Sequence, residues 1–340
     1  MLPDFDPVVG KPYTGISLSD LARLFSLDLI GRDAEVLYQG FLGFRRQQAH
    51  CNVLTYLTGE EFLSEFEGKG FEFAIIPEKM RGSRLPENRS YLITRGNPLD
   101  VFIAIHLYVV ENRLYYQVEE GVGGDCKISR KASIHPNVLI GDHCKIDDYV
   151  VVYPNTIIGN DVRIKAGTVI GGDGFEIKTI NGHRRIIPHC GGTILEDNVE
   201  VGSCCSIDRS MRHAFTFVGA ETKLSNQVQI GHGAYLAQEC TVAGHGQIAN
   251  VRMGRGVFIS ASVCCKPQIT LGDYAFVGIG SVVINSAADH ALLYGNPAQQ
   301  KGWACRCRLR IDFCDKDKAT CPSCGLHYLR EGDRIICLDY

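Results

Sequence analysis

The sequence lacks an excess of either charge: 35 Lys plus Arg stand against 38 Asp plus Glu. A near-neutral surface argues against a general binder of nucleic acid or anionic membrane, because both depend on clustered cations. Long apolar runs are missing too. No segment reaches the roughly 18 to 20 apolar residues that span a bilayer. The opening stretch MLPDFDPVVGKPYTG carries two acids and three prolines, without the unbroken apolar core of a signal peptide or anchor. We therefore expect no transmembrane segment and a cytoplasmic protein with no nucleic-acid partner. Cysteine is not scarce, at fifteen residues, but most are scattered singly or adjacent, as in Cys204 with Cys205 and Cys264 with Cys265. Without an export signal these read as reduced thiols, most of them small core residues, and not as a secreted disulfide framework.

What the sequence has in abundance is period. An aliphatic residue returns every six positions at Ile128, Ile134, Ile140, Ile146, Val152, Ile158, Ile164 and Ile170. After an excursion the spacing resumes through Leu195, Val201 and Ile207, then from Val218 to Ile248; one residue drops out, and Met253, Ile259, Cys265, Leu271, Val277 and Val283 continue it. A period of two would mark ordinary strands and 3.6 an amphipathic helix; a strict six marks the hexapeptide repeat of a parallel β-helix. Three hexapeptides make one triangular coil, the aliphatic side chain fills its interior, and stacked coils satisfy one another's backbone groups. The rows are architecture, so the interruptions carry the information. Residues 171–193, GGDGFEIKTINGHRRIIPHCGGT, leave the period and read as a loop extruded from the prism, where a rigid scaffold commonly builds a binding site. Residues 208–216, DRSMRHAFT, read as a shorter turn extension.

The flanks read as separate modules. In residues 16–30, ISLSDLARLFSLDLI, the residues Leu18, Leu21, Leu24 and Phe25 share one helical face and Ser17 with Asp20 resembles a capping box, predicting an amphipathic helix. Short β-rich stretches follow, then a second helix in NPLDVFIAIHLYVVEN, so residues 1–118 form an α/β domain, with 119–127 as linker and 127–297 as the β-helix. Residues 298–340 form a tail in which Cys305-x-Cys307 is followed, after thirteen intervening residues, by Cys321-x-x-Cys324. Two knuckles supplying four thiolates suit a tetrahedral structural Zn2+, which would hold a segment with little core of its own. Four thiolates leave no open coordination position, so such a zinc is not catalytic. Cys314 and Cys337 are further thiols that fit the knuckle spacing poorly.

One residue in the repeat is chemically out of place. In KLSNQVQIGHGAYL, residues 223–236, the row Leu224, Ile230, Leu236 is interrupted by an imidazole, His232; a second, His245, lies in AGHG. Taken alone, His232 reads first as a satisfied polar residue on a strand face and His245 as a turn histidine exposed to solvent.

Three motifs in this chain resemble the UDP-3-O-acylglucosamine N-acyltransferases: GGDGFEI at 171–177, IDR at 207–209 and TKLSNQVQIGH at 222–232, with the same domain order over about residues 16–297. Weaker support comes from ISLSDLARLF and from NVLTYLTGEEF at 52–62, which is similar to that family's uridine-binding segment. The resemblance implies a mainly β protein built on a left-handed parallel β-helix, a homotrimer with active sites between neighbouring subunits, and transfer of a 3-hydroxyacyl group from acyl carrier protein to the amine of a UDP-linked amino sugar in lipid A biosynthesis. It implies His232 as general base. Aminolysis of a thioester needs a group that accepts a proton near neutral pH, and histidine is the side chain poised there. His245 follows as a helper that binds the donor or shapes the groove. Tyr56 and Phe62 fall where the family stacks aromatics on uracil, while Asn97, Gly174, Phe175 and Glu176 are candidates for contact with nucleotide, sugar or acyl chain. Tyr56 and Phe62 also read as small-domain core, and Asn97 as a helix cap.

Two departures stand out. Ser225 occupies the place where the family has an aspartate seven residues before the base, and Gly59 the place of a uracil-binding asparagine. The tail, with GNPA, a tryptophan and the knuckles, resembles tails of hexapeptide sugar acetyltransferases, so acetyl-CoA transfer to a nucleotide amino sugar stands as the alternative. A non-catalytic trimeric scaffold is a third reading. A metal-dependent hydratase would need three converging histidines, and residues 232 and 245 do not supply that pattern.

Overall fold

In a computed structural model, the described residues are 15–36, 53–180, 182–211, 214–313, 317–332 and 334–339. Part of the uridine-like segment, Asn52, and the extra thiol Cys314 lie outside them. From Gly121 to Val283 the chain winds as a triangular prism of parallel strands: a first face of eight strands, a second that grows to eleven, and a third of eight. The coils stack in register, Ile140 on Ile158 on Leu195 on the first face, Ile146 on Ile164 on Val201 on the second, Val152 on Ile170 on Ile207 on the third. The six-residue rows point inward and form one continuous apolar core. Each buried Val, Leu or Ile contributes about 1.5 to 3 kcal/mol relative to exposure. Corners turn through left-handed residues, including Asn137, Asp161, Asn198 and His245 with φ of +59°, +57°, +58° and +61°. Asn and Asp tolerate that region better than most side chains. The prism begins before Lys127: Gly121–Val122 already pairs with Leu139 and Ile140, so most of the expected linker is a first coil.

Ahead of the prism, strands Asp28–Ile30, Ser90–Thr94, Phe73–Pro77 and Leu54–Tyr56 make a four-stranded sheet. Alternation along Phe73–Pro77 sends Phe73 and Ile75 to one cluster, and Ala74 and Ile76 to the other. Helix α1 is Leu18–Phe25, shorter than the helix expected over residues 16–30. Ser17 caps it, its Oγ accepting from the Asp20 amide at 3.0 Å, but Ser26 turns left-handed at φ +53° and closes it. Leu29 is a strand residue, paired with Leu92. Helix α2 is Leu63–Gly68; helix α3, Pro98–Glu111, starts on Asn97, whose Oδ1 accepts from the Leu99 amide at 2.9 Å.

The excursion at 171–193 is an antiparallel hairpin, Ile177–Ile180 against His183–Ile186. Helix α3 packs on it through Ile103, which shares an apolar cluster with Ile187 and Met211. The tail does not begin as a separate module: Ala291–Tyr294 continues the second face in parallel, and Gln299–Ala304 and Arg310–Ile311 cap it antiparallel. A three-stranded sheet then follows.

Candidate active site

His232 lies on the corner between Gln229–Gly231, on the third face, and Tyr235–Leu236, on the first. Ile230 points into the core and is fully buried, so the outward turn that follows delivers a half-buried imidazole to the edge. The corner is pinned one residue on, where the Gly233 amide donates to Thr216 Oγ1 at 3.0 Å. Over this corner runs the extruded loop. A Cβ on Gly174 would sit 2.7 Å from His232 Cδ2 and 3.0 Å from His189 Nε2, so glycine lets the loop backbone lie against both rings. The two imidazoles meet edge-on, with centroids 5.1 Å apart and planes at 90°.

His189 is 1% exposed. Its Nδ1 lies 3.1 Å from the Ile187 carbonyl, which assigns the proton to Nδ1 and leaves Nε2 an acceptor. Burial first, and the neighbouring His232 and Arg209 after it, hold His189 below the usual histidine range, with Asp173 pulling the other way. Arg209 ties the loop to the prism: its Nε donates to the Gly171 carbonyl at 2.9 Å and lies 3.4 Å from Asp173 Oδ1, and its Nη1 donates to the His189 carbonyl at 3.4 Å. Next to it, burial pushes the Asp208 carboxyl up to about 6, against a hydrogen bond from Ser206. From the other side, His106 of helix α3 donates Nε2–H to the Pro188 carbonyl at 2.7 Å, and burial takes it down to about 4. The site therefore gathers one accessible imidazole, one buried imidazole and a buried guanidinium around a glycine-bearing loop. Such an arrangement can take a proton from an attacking amine.

The family model for bacterial transferase hexapeptide (six repeats) matches residues 137–172. The UDP-3-O-acylglucosamine N-acyltransferase of Campylobacter jejuni subsp. doylei is 30% identical over 315 residues, covering 85% of this chain and 96% of that one. The chain belongs to the UDP-3-O-acylglucosamine N-acyltransferase family. A shorter match joins it to the dTDP-3-amino-3,6-dideoxy-alpha-D-galactopyranose 3-N-acetyltransferase of Aneurinibacillus thermoaerophilus, 40% identical over 82 residues, covering 24% of this chain and 41% of that one. Among solved structures, a UDP-N-acetylglucosamine acyltransferase from Bacteroides fragilis aligns with a TM-score of 0.49 at 23% identity over 56% of this chain and 72% of that one.

In this N-acyltransferase the other residues singled out from sequence fall in several places. Phe175 is 73% exposed beside Gly174, and Glu176 pairs with Lys178 at 2.6 Å. Burial raises the Tyr56 phenol and the charge of Lys178, on the hairpin, opposes the shift; the tyrosine ring packs 5.2 Å from Phe102. Phe62 is separated from it, packing with the apolar cluster on the opposite face of the sheet. Asn97 is occupied as the cap of helix α3. His245 stands exposed on the corner between the second and third faces, as does Ser225, so within one chain neither shares an edge with His232. His189 and His106 were not reached from sequence, and Asp173 and Arg209 entered only as parts of motifs; the one signal for His189 was a polar ring in an otherwise apolar IIPHC.

The tail thiols converge. Cys305, Cys307, Cys321 and Cys324 place their Sγ atoms within 4.8 Å of one another, with pairs 305–324 and 307–321 at 3.4 and 3.5 Å. Tetrahedral sulfur at about 2.3 Å from zinc requires Sγ separations near 3.8 Å, so the donor set fits that metal. Cys337 is not in this cluster.

Proposed function

We propose that this N-acyltransferase moves an acyl group from a thioester donor, a 3-hydroxyacyl acyl carrier protein, to the amino group of a UDP-linked amino sugar, with His232 as general base. The observation that carries this is the half-buried His232 under Gly174 of the extruded loop. A proton acceptor at an accessible edge, beside a loop that can shelter the sugar, is what aminolysis requires. Tyr56, Phe175 and Glu176 surround the hairpin side of that space and serve as substrate contacts, while Phe62 and Asn97 lie farther along the α/β domain.

The assembly we propose is a homotrimer. Side chains facing out from the third face are small or neutral, Val151, Val169, Ser206, Gln229, Gln247 and Cys264, whereas the earlier coils of the second face present Lys127, Lys145, Arg163, Glu200 and Lys223 before its row continues with Thr241, Phe258 and Phe276. Uncharged surface is the cheaper to desolvate between copies. The third face is flanked by the His232 and His245 edges, so a ring closed through it sets the His245 edge of one copy beside the His232 edge of the next. His245 there lines the donor's path. The four tail thiolates hold a structural Zn2+, and the thirteen described cysteines, none in a disulfide, suit a reducing cytoplasm. Among the described residues no helix is long and apolar enough to cross a membrane.

A second reading has its own support. The match to an acetyltransferase covers 82 residues, and the tail differs from a simple β-helix end. It is that the donor is acetyl-CoA. Purified protein offered UDP-amino sugars with 3-hydroxyacyl carrier protein or acetyl-CoA decides between them: the first reading expects turnover with the carrier alone, the second with acetyl-CoA alone. Loss of either activity in His232→Ala supports the base, and full activity in that variant removes it. Zinc is tested by metal analysis of the purified protein, expected at about one zinc per chain from one four-thiolate site.

A further inference from the structure

We propose that His189 is a positioning residue for His232: its buried Nε2 is the acceptor that orients the base's imidazole and steadies it when it carries the proton. The inference rests on the reading of His232 as base, and its observations are independent of that reading. His189 Nε2 is buried and has no hydrogen-bond partner among the described residues. An acceptor buried without a partner is destabilising, so its retention calls for an account. Its neighbourhood supplies one. A Cβ on Gly174 would lie 3.0 Å from His189 Nε2 and 2.7 Å from His232 Cδ2, the atom bonded to that ring's Nε2, so both atoms border the space that glycine leaves open. The only other polar atom of the His189 ring is engaged by the Ile187 carbonyl, so the tautomer that leaves an acceptor toward His232 is fixed from behind.

The backbone of His189 is clamped as well. Its amide donates to Asp173 Oδ2 at 3.4 Å and its carbonyl accepts from Arg209. Pro188, one residue before, accepts from His106 of helix α3. The second ring is therefore held by the hairpin, the prism and the α/β domain at once, which is how an orienting group is made rigid. Among the described residues, the charged and titratable groups that act on His189 besides His232 include Asp173 on the loop, Arg209 on the prism and His106 on helix α3. Arg209 and a protonated His106 both oppose a charge on His189, and burial does so most. His189 stays neutral where His232 cycles, and a neutral acceptor favours the protonated form of the ring it faces. Ser225, on the corner across the third face and without charge, does not supply this function within the chain.

The test uses full-length protein with His189→Phe, which keeps a ring but no acceptor, and His189→Gln, which restores one. Two readouts are taken: kcat against pH with KM alongside, and the titration of His232 by NMR of histidine-labelled free enzyme. We expect His189→Phe to lower kcat about tenfold or more with KM within about twofold, and to move both the acid limb and the His232 titration downward by about half a pH unit or more. His189→Gln should return both toward wild type. Unchanged kcat and titration in His189→Phe would overturn the proposal, as would equal losses in the Phe and Gln variants with His232 titrating as in wild type. If the Phe variant does not fold, His189→Met takes its place with the same expectations. An inactive His232→Ala beside a normal His189→Phe sinks this inference alone; an active His232→Ala sinks the base reading beneath it.

Discussion

The corners at His232 and His245 are built from the same repeat, thirteen residues apart in sequence, and carry the same side chain. One is half-buried beneath a loop that abuts a second imidazole; the other is exposed at φ +61°. On the proposed reading, the repeat supplies positions and the departure from the repeat supplies chemistry. A prism of this kind offers an outward corner every six residues. Among the described residues, the loop 171–193 folds back over the His232 corner and sets a second imidazole beside it, which on the proposed reading restricts water there and makes a place for substrate.

The sharpest break of this contrast is His232→Ala. Removing a general base typically costs 10²- to 10⁴-fold, so kcat should fall by about three orders of magnitude with the fold intact. Steady-state assay with circular dichroism as control checks it. If His232 acts only as packing, the fall should not exceed severalfold.

The covered corner also carries a cost in acid that the bare one does not. His106 ties helix α3 to the loop as a neutral donor, and burial lowers it to about 4. A histidine depressed in the folded state contributes stability that is present above its unfolded value near 6.5 and is lost as pH falls toward 4, because the unfolded chain binds the proton first. The shift corresponds to about 3 kcal/mol at its full extent. Unfolding midpoints at pH 7, 5 and 4 should drop more in wild type than in His106→Gln, whose amide keeps a donor without a titration. Parallel curves would detach the effect from His106.

Gly174→Ala should do less. The added methyl meets His232 Cδ2 at 2.7 Å, so the loop or the ring must shift, while the backbone itself is not in the left-handed region. We expect about a tenfold fall in kcat, near 1.4 kcal/mol, with little change in thermal midpoint. A variant as active as wild type would show that the loop lifts away during turnover.

Legibility followed the same division. The interior rows could be read because burial inside a narrow prism imposes one period on every coil, and Ile230 or Val242 has no alternative place to go. His232, the base we propose, was singled out through its QIGH context, and the converging thiols of the tail through their spacing. The groups packed around His232 were not. His189 is forty-three positions upstream of His232, and its importance comes from a hairpin folding across three coils, which no local pattern records. Helix α1 was read too long because Leu29 continues the apolar pattern, while the left-handed Ser26 that stops the helix gives no compositional signal. Tyr56 and Phe62, six residues apart, look like one aromatic pair in sequence; the sheet edge between them sends each to a different cluster.

The smallest expected effect is on the bare corner. Within its own chain His245 faces solvent, its amide held by the Asn226 carbonyl at 3.3 Å, and exposed side chains away from structural features usually contribute within about 0.5 kcal/mol. His245→Ala should leave the unfolding midpoint unchanged. If the ring of copies brings this edge against the neighbour's His232, the variant should raise KM for the thioester donor a few-fold while leaving kcat and KM for the sugar alone, because contact with the carrier's arm is made equally in the ground and transition states. A loss of kcat comparable to that of His232→Ala would mean that the bare corner carries chemistry too, and that the neighbouring copy, not the extruded loop, is what makes a corner catalytic.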